Sequence, residues 1–338
     1  MTTADLIPEK TIWISATIDG LITRTTDDKP PRLIGKEAPA SMVLANTRDV
    51  LYLVCEKGEA AAVPVHSLPE ADSPLAGTPY FKVSALSQTS KLAAMFVLPQ
   101  KQSSNSSALT YEGWYVLTAT KQGYVKKTAL SELPGASANV FTLAKVNEGD
   151  HLGWLRLSNG QNEILLMTAK GMAIRFDENE VRPMGLIAAG VMGIKLAPND
   201  EIIGMELLPR PGEVFMIASD GSAKRVNTAQ FPKQGRYGQG ITAWRLPAKV
   251  QVVGITVDTG TTRAILHMGK LLPKPIRLDE APLQGRSARG KIIQPIKAGD
   301  QIYLLTVPWE IPRPTAQKRT TSRRGRASGT TPTTQSKS

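Results

Sequence analysis

Three stretches of this chain repeat one another at a fixed interval: VRPMGLIAAGVMGIKL, FPKQGRYGQGITAWRL and PLQGRSARGKIIQPIK. Gly185, Gly235 and Gly285 stand 50 residues apart, Gly190, Gly240 and Gly290 keep the same register, and so do Lys195 and Arg245. A period of this length marks solenoids and propellers, in which one supersecondary unit buries its apolar faces only against its neighbours. The repeat therefore constrains the architecture before any single motif is considered.

A second recurring unit lies upstream of each glycine pair: an apolar, β-branched run, a tight turn ending in glycine, then a basic residue. It reads IWISATIDGLITR, LYLVCEKGEAA, WYVLTATKQGYVKK, ILLMTAKGMAIR, VFMIASDGSAKR and RAILHMGKLLPK. Its turn glycines, Gly20, Gly58, Gly123, Gly171, Gly221 and Gly269, are separated by 38, 65, 48, 50 and 48 residues. The long interval holds the Ser/Asn/Gln-rich stretch 100–108, which reads as an inserted surface loop. Short apolar runs joined by D-G, K-G or Q-G are hairpin signals, since glycine supplies the positive φ that a tight turn requires. Third and fourth strands follow, as in VMGIKL then EIIGMELL. Four short strands per unit, repeated six times without helical periodicity, predict an all-β, six-bladed β-pinwheel over residues 11–311, with blades starting near 11, 50, 113, 162, 213 and 262. Residues 1–10 read as an N-terminal linker and 312–338 as a disordered basic tail, because the tail holds Arg313, Lys318, Arg319, Arg323, Arg324, Arg326 and Lys337 with no acid and almost no apolar side chain.

Charge narrows the partner. The 338 residues carry 41 Lys plus Arg against 29 Asp plus Glu, a formal net charge of +12, and such a balance favours a polyanion or an acidic membrane surface. Cys55, alone in the chain, cannot form an intrachain disulfide and implies a reducing, cytoplasmic compartment. MTTADLIPEK lacks the features of a signal peptide, and no apolar run reaches membrane-spanning length, so neither export nor a membrane is expected.

Catalytic signatures are missing. His66, His151 and His267 are scattered over different repeats, with no zinc spacing and no clustered acid or base, so no catalytic residue, metal or cofactor is expected. GRSARGKI, residues 285–292, imitates a phosphate loop, but Ile292 replaces the required hydroxyl and the following IIQPIK reads as a strand rather than a helix. Its in-register copies at Gly185 and Gly235 make it a feature of the repeat.

What remains is a set of basic, glycine-rich turns that recur on successive blades. Such turns suit a regularly spaced polyanion, since duplex DNA carries one charge per roughly 1.7 Å of axis and can be tracked along its backbone without base readout. The candidate contacts are Lys126, Lys127, Arg175, Lys224, Arg225, Lys233, Arg236, Arg286, Arg289 and Lys291. Solvated blade edges, where lysine discourages edge pairing, are the plain alternative. Tyr237 and Trp244 offer rings for stacking, but strand spacing assigns Trp244 to the core.

These repeats, with the opening DLIPEKTIWISATIDGLITRT, resemble the C-terminal domain of DNA gyrase A and its topoisomerase IV counterpart over residues 5–308. The resemblance implies a pinwheel that binds and bends duplex DNA around a basic rim, in the nucleoid, with two protein partners: the catalytic core of gyrase A and the ATPase subunit. It also implies that strand breakage and ATP hydrolysis reside elsewhere. Gyrase members carry a first-blade box, Q-R-R-G-G-[RK]-G. The corresponding PRLIGKE keeps only Arg32, Gly35 and Lys36, while QGRYGQG keeps Gln234, Arg236, Gly238 and Gly240, and QGRSARG keeps Gln284, Arg286, Arg289 and Gly290. The reduced box leaves chiral wrapping open beside simple bending. A propeller binding an acidic protein is the rival reading, although kelch and Trp-Asp signatures are missing.

Overall fold

The computed structural model describes residues 6–100, 111–208, 212–257 and 262–312. The inserted loop beyond residue 100 and the basic tail beyond residue 312 lie outside the described residues. The fold is an all-β, six-bladed pinwheel. Among the described residues the single α-helix is the one-turn Tyr80–Val83, and none is long and apolar enough to cross a membrane.

The fourth repeat shows how a blade is built. ILLMTAKGMAIR forms a hairpin, Glu163–Thr168 with Met172–Asp177, and Ile202–Leu208 pairs with the first hairpin strand. The hairpin's second strand is covered by Ile241–Thr242, which comes from the following repeat. Val191–Met192 of the fourth repeat is likewise donated backward to the third blade, and Lys291–Ile292 to the fifth. The expectation of four strands drawn from one unit is therefore corrected: three are local, and the outer strand is exchanged. Gly285 to Ile292 runs into that donated strand and not into a helix, which disposes of the nucleotide-binding motif that these residues imitate.

Innermost strands of consecutive blades, Ser41–Asn46, Leu92–Pro99, Leu152–Ser158, Ile202–Leu208, Val252–Val257 and Ile302–Thr306, abut in sequence around a central cavity of about 970 Å³. Apolar side chains on each blade face are buried against the next blade. Ile164, Leu166, Phe176 and Ile194 fill one interface with Leu117 and Val125, and Leu165, Val214, Phe231 and Trp244 fill the next. Trp244 is 1% exposed, as its strand spacing predicts.

Closure uses different means. Trp309–Glu310 adds in parallel to Ser41–Asn46, and the Thr306 hydroxyl donates to the Ala40 carbonyl at 2.7 Å. Behind it, the buried His267 shares a 3.0 Å hydrogen bond with the same hydroxyl. The sixth blade, Ile302–Thr306, Arg263–Met268 and Lys274–Arg277, has three strands and receives no donated outer strand among the described residues.

Candidate nucleic-acid interface

In the first five repeats the hairpin glycine seats the following repeat. Gly171, at φ +80°, accepts from the amides of Ala243 and Trp244 at 2.8 and 3.1 Å. Gly58, Gly123 and Gly221 accept in the same way from residues of the next repeat. The second glycine of each outer turn is also a contact residue: a Cβ on Gly240 would stand 2.4 Å from the Ala173 carbonyl oxygen. Close approach to the preceding blade requires that glycine.

The same junction absorbs half of the basic residues that the sequence offers as DNA contacts. Lys126, Lys127 and Lys224 are 2%, 3% and 0% exposed. Lys127 pairs with the fully buried Glu178 at 3.1 Å and lies over the Tyr115 ring. Arg175 pairs with Glu163 and donates to the Thr228 and Phe231 carbonyls at 3.0 and 2.8 Å. Arg225 pairs with Glu213 at 2.6 Å and donates to the Ala281 carbonyl at 2.8 Å. Arg24 repeats the arrangement with Glu70 and the Leu68 carbonyl. These charges tie the outer hairpin strand of one blade to the 3-10 turn or its flank in the next. The expectation that Lys126, Lys127, Arg175, Lys224 and Arg225 face DNA is therefore corrected: Lys127 is buried in an ion pair, Lys126 and Lys224 are buried on backbone carbonyls, and the part-buried Arg175 and Arg225 are each held by a glutamate and by carbonyls of the next repeat.

Lys126 and Lys224 form a related pair. The Lys126 ammonium donates to the carbonyls of Leu143 and Leu186 at 2.5 and 2.6 Å. That of Lys224 donates to Ala243 at 3.1 Å and Arg286 at 2.6 Å, the counterparts one hundred residues on, and to Ala288 at 3.0 Å. Desolvation by burial lowers both ammonium pKa values to about 8, with Glu132 opposing the shift at Lys126 and Arg286 reinforcing it at Lys224.

The other candidates stay on the periphery. Arg236 and Arg286 occupy matching positions and donate back to the preceding outer strands, to Met192 at 2.6 Å and Thr242 at 2.7 Å. Arg289 and Lys291 are exposed. Lys233 is 46% exposed but engages Asp177 at 2.7 Å. The backbone of Gln234 donates to the Arg175 carbonyl, and the Gly238 carbonyl accepts from Lys195. Tyr237 is 52% exposed and held at φ +68°. Arg32 and Lys36 are exposed on the first-blade loop, whose Gly35 amide donates to the Pro273 carbonyl of the sixth blade at 3.2 Å.

Sequence reasoning passed over one row. Lys145, Lys195 and Arg245 are exposed, 50 residues apart, each three residues beyond a donated outer strand. Lys195 and Arg245 already stood out as being in register, and the missing signal was that Lys145 extends them. Asp150, Asp200 and Asp300 form a further row that accepts turn amides of their own blade's hairpin, which accounts for their recurrence structurally.

With this geometry in hand, known proteins place the chain. Residues 115–156, 162–209, 212–257 and 276–306 match the family described as DNA gyrase C-terminal domain, beta-propeller. The chain belongs to that family. The DNA gyrase A protein of Klebsiella oxytoca is 30% identical over 267 residues, covering 78% of this chain and 29% of the relative. That of Staphylococcus epidermidis is 28% identical over 322 residues, covering 90% and 34%. The chain thus spans about a third of the length of the curated relatives it matches. In fold it is similar to the C-terminal domain of DNA topoisomerase IV, with a TM-score of 0.73 at 23% identity over 89% of this chain and 94% of that one. It is also similar to the DNA gyrase A C-terminal domain, with a TM-score of 0.70 at 16% identity over 89% and 100%.

Proposed function

We propose that this gyrase-family pinwheel binds duplex DNA without sequence preference along its outer edge, bends it, and wraps it. In this role it serves as the C-terminal part of the gyrase A component of a type IIA topoisomerase and supports negative supercoiling. The observation that carries the reading is the exposed basic row Lys145, Lys195 and Arg245, repeated at one position on three successive outer turns. Arg236, Arg286, Arg289 and Lys291 lie in or beside the neighbouring outer turns, with Arg32, Lys36, Lys233, Gln234, Gly238 and Gly240 as further contacts. A charge repeated with each blade matches a ligand whose own charge is periodic, and asks nothing of its base sequence.

The partners are then duplex DNA, the catalytic core of gyrase A and the ATPase subunit, in the cytoplasm at the nucleoid. Ligase closure of nicked circular plasmid at rising protein ratio tests the reading, with linking number resolved on gels. A progressive positive shift is the expected result. Binding without a shift would remove wrapping and leave bending. Failure to bind at low salt would refute the DNA reading and favour an acidic protein as the partner of the same edge.

A further inference from the structure

Loop 285–290, sequence GRSARG, folds around a cation that belongs to the protein itself. The Lys224 ammonium donates to the carbonyls of Arg286 at 2.6 Å, Ala288 at 3.0 Å and Gly285 at 3.4 Å, and to that of Ala243 at 3.1 Å. The Arg289 carbonyl is taken by the Trp244 indole N–H at 3.1 Å, and that ring lies 5.2 Å from the same ammonium. Four of the loop's carbonyls therefore point inward. In a trans peptide the N–H points opposite to the C=O, so the amides of Ser287 and Arg289 are turned away from the ammonium. Arg286 and Arg289 belong to the same segment, and Lys291 follows it.

The fourth repeat provides an internal comparison. Ile174 stands where the fifth repeat has Lys224, three residues after the turn glycine. There the loop is held from outside instead, by the Tyr237 amide on Gly193 at 2.8 Å and the Gly238 carbonyl on the Lys195 amide at 2.9 Å. An apolar residue at this position is thus compatible with a folded blade. The third repeat has the lysine, Lys126, but its loop, GLIAAG, bears no basic side chain.

We propose that Lys224 is the positioning residue of a phosphate-binding loop: by gathering the carbonyls of Gly285, Arg286 and Ala288 inward it presents the Ser287 and Arg289 amides and the Arg286 and Arg289 side chains to the backbone of DNA. The inference rests on the DNA-binding reading above. Lys224 touches no phosphate and acts through the loop, so it changes the fraction of molecules with the loop competent to bind and not the number of contacts made once bound.

The test uses the full 338-residue chain and a duplex DNA fragment, with affinity measured against salt for the unaltered protein, Lys224→Ile, Lys126→Ile and Arg289→Ala. Lys224→Ile weakens binding about tenfold, the result of a competent fraction near one tenth, with an unchanged salt slope. Arg289→Ala lowers the slope by about 0.9, one lost phosphate contact. Lys126→Ile removes an equivalent buried ammonium from a loop without charges and leaves affinity within about twofold. Between about pH 7 and 9 the unaltered protein loses affinity as the ammonium gives up its proton, whereas Lys224→Ile does not. Arg286 is the charged group that faces Lys224, while Arg225 and Glu213 belong to the opposite face of the sheet. Equal affinity and pH profile for Lys224→Ile and the unaltered chain would overturn the proposal, as would an equal loss in Lys126→Ile. An unaltered chain that fails to bind at low salt would overturn the DNA reading and this proposal together.

Discussion

Substituting Gly171 by alanine separates two costs that usually arrive together. Gly171 sits at φ +80°, and an added Cβ would stand 2.3 Å from the Trp244 carbonyl oxygen, a distance that backbone cannot accept. Gly149 has a similar φ, +74°, but a Cβ there would meet nothing within 4 Å. Both substitutions carry the left-handed backbone penalty of about 1–2 kcal/mol for an L-residue. Gly171→Ala must in addition push the next repeat away, loosening the bonds from the Ala243 and Trp244 amides, each with a net value of about 1 kcal/mol. It also disturbs the packing of a 1% exposed tryptophan. The expected difference between the variants is about 2–3 kcal/mol. Equilibrium unfolding in urea measures it as a lower midpoint for Gly171→Ala at equal m-value. Equal midpoints for the two variants would refute the idea that hairpin glycines are seats for the following repeat.

Other perturbations address the charges. Arg175→Ala leaves Glu163, 5% exposed, with Lys233 at 3.7 Å, and should cost about 3 kcal/mol in urea unfolding while leaving the salt dependence of DNA binding unchanged. Arg245→Ala should do the reverse, reducing the slope of log affinity against log salt by about 0.9 with an unaltered urea midpoint. Burial lowers the His267 pKa to about 4, so as pH falls the unfolded chain takes up the proton first. The stability contribution is full above about pH 6.5, the ordinary histidine value, and is lost progressively toward pH 4. A His267→Gln variant, compared by unfolding midpoint from about pH 7 to 4, should lose less stability than the unaltered protein over that range.

The hairpins and their number were legible because two signals coincide in the first five, an apolar run of strand length and a glycine where the backbone must turn left, while the sixth keeps the apolar run and its Gly269 without the left-handed turn. Strand exchange was not, because the donated segments Val191–Met192, Ile241–Thr242 and Lys291–Ile292 are two residues long, too short for any periodicity to say which blade they join. The buried cations misled for a related reason. A lysine or arginine in a strand reads as a solvent-facing position unless its partner is seen, and the partners of Arg175 and Arg225 lie across the hairpin and in the next repeat. One local signal did exist: Glu163 precedes Arg175, and Glu213 precedes Arg225, by the same twelve residues. Exposure of Lys145, Lys195 and Arg245 required the fold, since their spacing alone cannot distinguish an outer turn from a blade junction.

Exchange of the outer strand puts the unit of sequence out of phase with the unit of structure. As the chain leaves the ribosome, the fourth blade has its hairpin by residue 177 and its inner strand by 208, yet the strand that covers its edge ends only at Thr242. Each of the first five nascent blades thus exposes an unpaired edge until the next repeat emerges, and the correct occupant is the segment about to arrive. The first blade's outer edge is covered by Thr78–Pro79 of the second repeat, but its inner edge waits far longer, for Trp309–Glu310 near the far end of the described chain. Synthesis therefore extends the pinwheel in one direction and closes it last, and a ribosome stalled between repeats would hold a row of blades with one open edge at the growing end and another on the inner strand of the first blade.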